Sequence, residues 1–369
     1  MAEPFKNLFS RAFFEFFTDV VEQYVPSFER DLFMEQIFDR EWDNKELKAR
    51  ARHVSMVLKD NMFEDYPRNL EAILKMIRFI RKNKNRKGGI ESMFFPDFIE
   101  CFGLDHYQIS IEAMEEITMY FSCEFAIRPF ILKYPEKTMQ QMLLWASHHH
   151  PLVRRLSTEG CRPRLPWAMS LPFLKKDPSP VLAILEKLKD DAAETVRRSV
   201  ANNLNDIAKD NPEVVIGIAK KWQGISKETD WVVKHGSRTL LKQANPAIME
   251  IFGLSATTDI KVTDFTIESP LVKIGSSLIF SFKVANNSKK DQLIRLEYGL
   301  YYLKANGSLA RKVFKISEKI YPAGSETMVV RKQSFKIITT RVFHPGLHKL
   351  SIITNGQESI LKEFSLNPE

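Results

Sequence analysis

Up to about residue 254 apolar residues recur at intervals of three and four, and beyond residue 258 the interval changes to two. The first pattern belongs to one-sided helices. In VVEQY, ELKARARHVSMVL, NLEAILKMIRFI and PVLAILEKLKDDA the apolar positions fall on one stripe, with Pro or Gly between segments. The second belongs to half-buried strands: Leu278, Phe280, Phe282 and Val284 alternate in SSLIFSFKV, and Ile294, Leu296, Tyr298, Leu300 and Tyr302 alternate in the next run. Asn287, Asn306-Gly307, Gly324 and Asn355-Gly356 supply turn chemistry between the runs. The pattern predicts a multidomain chain, α then β: a helical domain over residues 1–254 and an immunoglobulin-like β-sandwich over 258–369.

The helical part repeats. PLVRRLSTEG and ETVRRSVANNLNDIA both carry Val-Arg-Arg, with Val153 and Val196 separated by 43 residues, and WVVKHGSRTLLKQ forms a weaker copy with Val233 a further 37 along. Helix pairs of about 40 residues predict an all-α, HEAT-like solenoid, in which each pair buries its face only against its neighbours. In this register Arg155 aligns with Arg198 and Glu159 with Asn202. Arg155, Glu159 and Arg162, and then Arg198, Asn202 and Asp206, share one side of successive helices. Stacked together they would form a concave strip of cations with carboxylates between them. Read alone, the same trios could be ordinary ion pairs on solvated helix faces.

Two segments favour a binding strip. RPRLPWA leaves helical periodicity straight after the cationic turn, with Pro163 and Pro166 setting Trp167 at its end beside Arg162 and Arg164. A tryptophan is more often core, but this context favours stacking or recognition of a cation. Upstream, Glu124 stands among Phe121, Phe125, Ile127 and Phe130. If it lines the same groove, three carboxylates and a tryptophan surround one point. That is a poor site for phosphate and a good one for a positively charged organic group.

Composition narrows the alternatives. The net charge of +8 and pI near 9.2 favour nucleic acid, anionic membrane surfaces or acidic proteins as partners. Residues 258–369 hold 17 Lys+Arg against 10 Asp+Glu, a net +7, whereas the helical part is close to balance and must concentrate its cations locally. Three cysteines without CxxC spacing argue against a disulfide framework or a zinc site. With no apolar run long enough for a membrane span and no basic n-region, a soluble cytoplasmic protein is expected. His148–His150 invite a metal reading, but adjacent side chains diverge and no second cluster has ligand spacing, so no metal and no cofactor is expected. KNKNRKGG at 82–89 is a solvated connector or a phosphate contact and lacks P-loop spacing.

MAEPFKNLF, SCEFAIRPFI, HPLVRRLSTEGCRPRLPWA and VRRSVANNLNDIAKDNP resemble the AlkC family of bacterial alkylpurine DNA glycosylases over essentially the full length. The carboxy-terminal immunoglobulin-like domain matches one of the family's two subgroups. The resemblance implies a monofunctional, monomeric enzyme of base excision repair. It would remove N3-alkylated bases, 3-methyladenine and 3-methylcytosine, from double-stranded DNA without extruding them. Glu124, Glu159, Trp167 and Asp206 would then be lesion-site residues. Arg155 and Arg162 would contact the DNA backbone, and Arg164, beside Trp167, and Arg198, from the repeat, join them as candidate contacts. The rival expectation is a non-enzymatic repeat scaffold that binds nucleic acid or an acidic protein.

Overall fold

The computed structural model describes residues 3–84, 88–255, 259–338 and 341–368. Residues 85–87 of the basic 82–89 connector and 256–258 at the change of period lie outside the described residues. The helical and strand regions fall where the two periodicities place them, from the Arg11–Val21 helix to the Pro246–Ile251 helix and then, among the described residues, eight strands. No helix among the described residues is long and apolar enough to cross a membrane.

One compact unit comprises the residues up to Val215 together with Gly224–Gly236. Its first helix, Arg11–Val21, is capped by Ser10, whose hydroxyl accepts the Phe13 N–H at 3.2 Å, and it buries Phe14, Phe17, Val20 and Val21. The repeat register is visible in the core: Val153, Val196 and Val233 are all buried, and the Glu194–Ile207 helix packs against both Pro151–Glu159 and Lys227–Gly236.

The first arginine of each Val-Arg-Arg reaches back to the loop that opens its own helix. Arg154 donates to the His148 and His149 carbonyls, both at 2.9 Å, and Arg197 to those of Asp191 and Ala192 at 2.6 and 3.0 Å. Val faces the core, the first Arg ties the entry loop, and the second Arg is left for another face. The three histidines serve the same helix entry: the His150 ring accepts the Leu152 N–H at 3.3 Å as an N-cap, ahead of Pro151 in the first turn. Among the described residues no group of three or more His, Cys, Asp or Glu is placed to hold a metal ion.

The other unit comprises Ile216–Gln223 and the chain from Ser237 onwards, so helical residues belong with the strands. The strands are β1 (Ile260–Ile267), β2 (Leu271–Lys273), β3 (Ser277–Asn286), β4 (Gln292–Leu303), β5 (Leu309–Tyr321), β6 (Glu326–Ser334), β7 (Gly346–Thr354) and β8 (Gln357–Asn367). They form a three-stranded sheet, β1-β3-β6, and a five-stranded sheet, β2-β8-β7-β4-β5, antiparallel except between β2 and β8. Leu278, Phe280, Phe282 and Val284 of β3 and Ile294, Leu296, Tyr298, Leu300 and Tyr302 of β4 share the core. Asn355-Gly356 turns β7 into β8 with both residues at positive φ, 44° and 80°, the geometry of a two-residue hairpin loop. On β4 the alternation is incomplete. Arg295 and Glu297 are buried as well, with Arg295 donating to Glu297 at 2.6 Å and Glu318 at 2.9 Å.

Candidate functional site

The helix Pro151–Glu159 ends where the prolines require, and the chain then makes a non-helical excursion through Trp167 before the next helix, Pro172–Lys176. Arg128, fully buried on the Ile127–Lys133 helix, fastens both feet of that excursion. It donates to the carbonyls of Gly160 at 2.8 Å, Arg162 at 2.9 Å and Met169 at 2.7 Å. Burial pulls its guanidinium down to about 10, so it remains charged at neutral pH. At the apex Trp167 has φ 64°, in the left-handed region, and its side chain is 69% exposed. It is therefore not a core residue. A bulky side chain held there carries about 1–3 kcal/mol of strain, a cost that accumulates at functional sites.

The excursion forms one wall of an open cavity of about 370 Å³. Glu124, Glu159 and Arg162 line it together with Leu47, Ile90, Met93, Phe121, Phe125, Leu165, Pro166 and Trp167. Two of the three expected carboxylates thus meet the expected tryptophan in a largely apolar setting. Asp206 does not line the cavity. It lies behind Arg162, 2% exposed, and reaches the site only through that guanidinium.

The charges alternate along the strip. Arg155 donates to Glu124 at 2.7 Å and lies 3.8 Å from Glu159. Arg162 donates to Glu159 at 2.6 Å and Asp206 at 2.9 Å, and Lys209 donates to Asp206 at 3.0 Å. Ser122 adds a hydroxyl to Glu124 at 2.8 Å, and Ser199 adds one to Glu159. Burial works against the charge on Arg162, but Glu159 and Asp206 outweigh it and hold the guanidinium above its ordinary value. Each carboxylate is consequently fixed in place before any ligand arrives.

The expected DNA-contact arginines occupy different settings. Arg162 is buried between carboxylates and presents little surface, whereas the Arg155 side chain is 26% exposed. Arg164 pairs with Asp210 at 2.6 Å, and Arg198 pairs with Glu194 and stands 5.8 Å from the Trp231 ring. The cysteines offer no nucleophile: all three are unpaired, and burial pushes the Cys101 and Cys161 thiols up to about 12. Sequence reasoning did not single out Arg128, Ser122, Ser199 or Lys48. Arg128 sits inside the quoted SCEFAIRPFI, but its partners are carbonyls, which leave no mark on side-chain identity.

Helical repeats, a carboxy-terminal sandwich and a carboxylate-lined cavity under an exposed tryptophan define a HEAT-like repeat protein with an appended immunoglobulin-like domain. Residues 261–368 match the family model of the C-terminal Ig-like domain of uncharacterised protein YhaZ. The uncharacterized protein YhaZ of Bacillus subtilis (strain 168) is 40% identical over 346 residues, 94% of each chain. The structure of Pseudomonas fluorescens alkylpurine DNA glycosylase AlkC, bound to DNA containing an abasic site analog, is 30% identical. It superposes with a TM-score of 0.93 over 99% of this chain and 100% of that one. The chain belongs to the AlkC family, among the members with a carboxy-terminal immunoglobulin-like domain.

Proposed function

We propose that this protein is an alkylpurine DNA glycosylase, and more narrowly one that removes cationic N3-alkylated bases from duplex DNA by hydrolysis. The observation that carries the proposal is the pair Glu124 and Glu159, held by Arg155 and Arg162, lining one cavity with the exposed Trp167. The relative of similar architecture is an alkylpurine DNA glycosylase bound to DNA, which supports the reaction class and the partner.

Chemistry and site fit one another. A base alkylated at N3 is already cationic, so it leaves as a neutral molecule and needs no general acid. As the bond from C1′ to the base breaks, its electron pair goes with the base and positive charge grows on the sugar. Glu124 and Glu159 are the fixed anions that stabilise this charge. Water adds to C1′ and gives up its proton through a carboxylate to solvent. Asp206 acts through Arg162, and Trp167 packs against sugar or lesion with its π face toward the cation. Arg155, partly exposed, divides its donors between Glu124 and a DNA phosphate, while Arg164 and Arg198 contact the backbone farther along. The open cavity supports attack on a base still in the duplex rather than one withdrawn into a deep pocket.

The reaction expected is hydrolysis by water, without strand cleavage. Incubation with methylated duplex DNA, followed by chromatography of released bases, tests this reading. Release of 3-methyladenine and 3-methylcytosine above the spontaneous rate is expected, with abasic strands intact until alkali is added. Release at the spontaneous rate would leave the rival scaffold reading in place.

A further inference from the structure

We infer that Lys48 is a positioning residue for the reaction proposed above: it holds Trp167 in its left-handed conformation at the mouth of the cavity. Lys48 lies on the Leu47–Asp60 helix, 119 residues away in sequence, yet its ammonium donates to the Trp167 carbonyl at 2.8 Å. The ammonium stands 5.1 Å from the centre of the Phe125 ring, and Phe125 lines the main cavity. Lys48 itself lines a small neighbouring cavity, with Asp97 and Glu100. A cation placed among the carboxylates would oppose a cationic ligand; this one is set to the side and bonded to backbone.

The need for such a bond follows from the local chain. Arg128 fixes the two feet of the excursion, at Gly160, Arg162 and Met169, and leaves the apex to a weaker Ala168 N–H bond to the Leu165 carbonyl at 3.3 Å. Trp167 at φ 64° would relax toward ordinary backbone conformations without a further tie. The Lys48 bond supplies that tie, and the Phe125 ring beneath the ammonium helps to give it its direction. The indole is thereby aimed before DNA binds.

The inference rests on the glycosylase reading for its kinetic test but not for its spectroscopic one. Lys48→Met keeps the stem and removes the donor; Lys48→Arg keeps charge and donor. Single-turnover base release by Lys48→Met is expected to fall about tenfold, the size of effect that relief of one strained conformation allows. DNA affinity and its salt dependence should stay within about twofold, because no phosphate contact is lost. Lys48→Arg should recover most of the rate, and in a Trp167→Ala background Lys48→Met should have little further effect. A loss seen in affinity and salt dependence instead, or one that multiplies with Trp167→Ala, would overturn the assignment.

The fluorescence anisotropy of Trp167, taken as the difference between each protein and its Trp167→Phe counterpart, reads the tie without any substrate. It should drop in Lys48→Met and not in Lys48→Arg. An unchanged anisotropy in Lys48→Met contradicts the inference even if the wild type releases bases, and a drop supports it even if the wild type releases none.

Discussion

His348, fully buried beside Tyr302, Phe335 and Phe364, donates from Nε2 to the His344 carbonyl at 3.0 Å, while its Nδ1 accepts the Leu303 N–H at 3.4 Å. Burial opposes the charge and outweighs the backbone hydrogen bonds that favour it, so the ring is held below its ordinary 6.5. The unfolded chain then binds the proton more readily than the folded one. Stability is full above about 6.5 and is lost as the pH falls through the lower folded value. Thermal melts at pH 7.5 and 5.5 should show a larger loss for wild type than for His348→Phe; equal losses would mean that the ring does not set the dependence. Around the cavity the side chains follow the same residue-scale logic. The identities of Glu124, Glu159 and Trp167 were legible because their neighbours in sequence are unusual. The ties that hold the Trp167 excursion were not, since Arg128 and Lys48 act on carbonyls that any residue could supply.

At the scale of elements, Val-Arg-Arg divides its work by direction around the helix. Arg154 bonds two carbonyls of its entry loop and also grips Asp191 at 2.6 Å, with only 17% and 6% of the two side chains exposed. Arg198, in the second copy, pairs with Glu194 on the surface, where more than half of each side chain is exposed. Arg154→Ala should lower stability by about 2–3 kcal/mol, as expected for breaking a largely buried charged network. Arg198→Ala should cost at most about 0.5 kcal/mol. Urea denaturation of both variants checks this, and similar losses would show that the motif's two arginines are not specialised. The repeat, the strand alternation and the Asn-Gly turns were legible because each is local and periodic. The buried Arg295 and Glu297 were not: a period of two says which residues share a face of β4, and only tertiary packing decides that both faces are covered.

For the whole molecule the informative contrast is between bulk and local charge. The chain carries +8, most of it in the residues after 258, which favours encounter with a polyanion over the distances that salt leaves unscreened. The strip at the cavity is close to neutral, with Glu124, Glu159 and Asp206 set against Arg155, Arg162 and Lys209. Net charge and repeat spacing suggested a grip on a polyanion. They did not show that the arginines nearest the cavity are spent largely on holding carboxylates, because pairing depends on distances across helices.

The central claim is that those carboxylates act on charge developing in the sugar rather than on DNA binding. Its most direct test is single-turnover release of 3-methyladenine from a defined duplex by wild type, Glu124→Gln and Glu159→Gln, with the affinity of each protein for an abasic duplex measured alongside. Glutamine keeps the shape and removes the anion. At least one variant should lose about a hundredfold in rate, the scale of a lost electrostatic contact in an active site, while affinity changes less than about threefold. Rates that stay within a few-fold of wild type in both variants, or losses that appear in affinity alone, would contradict the account.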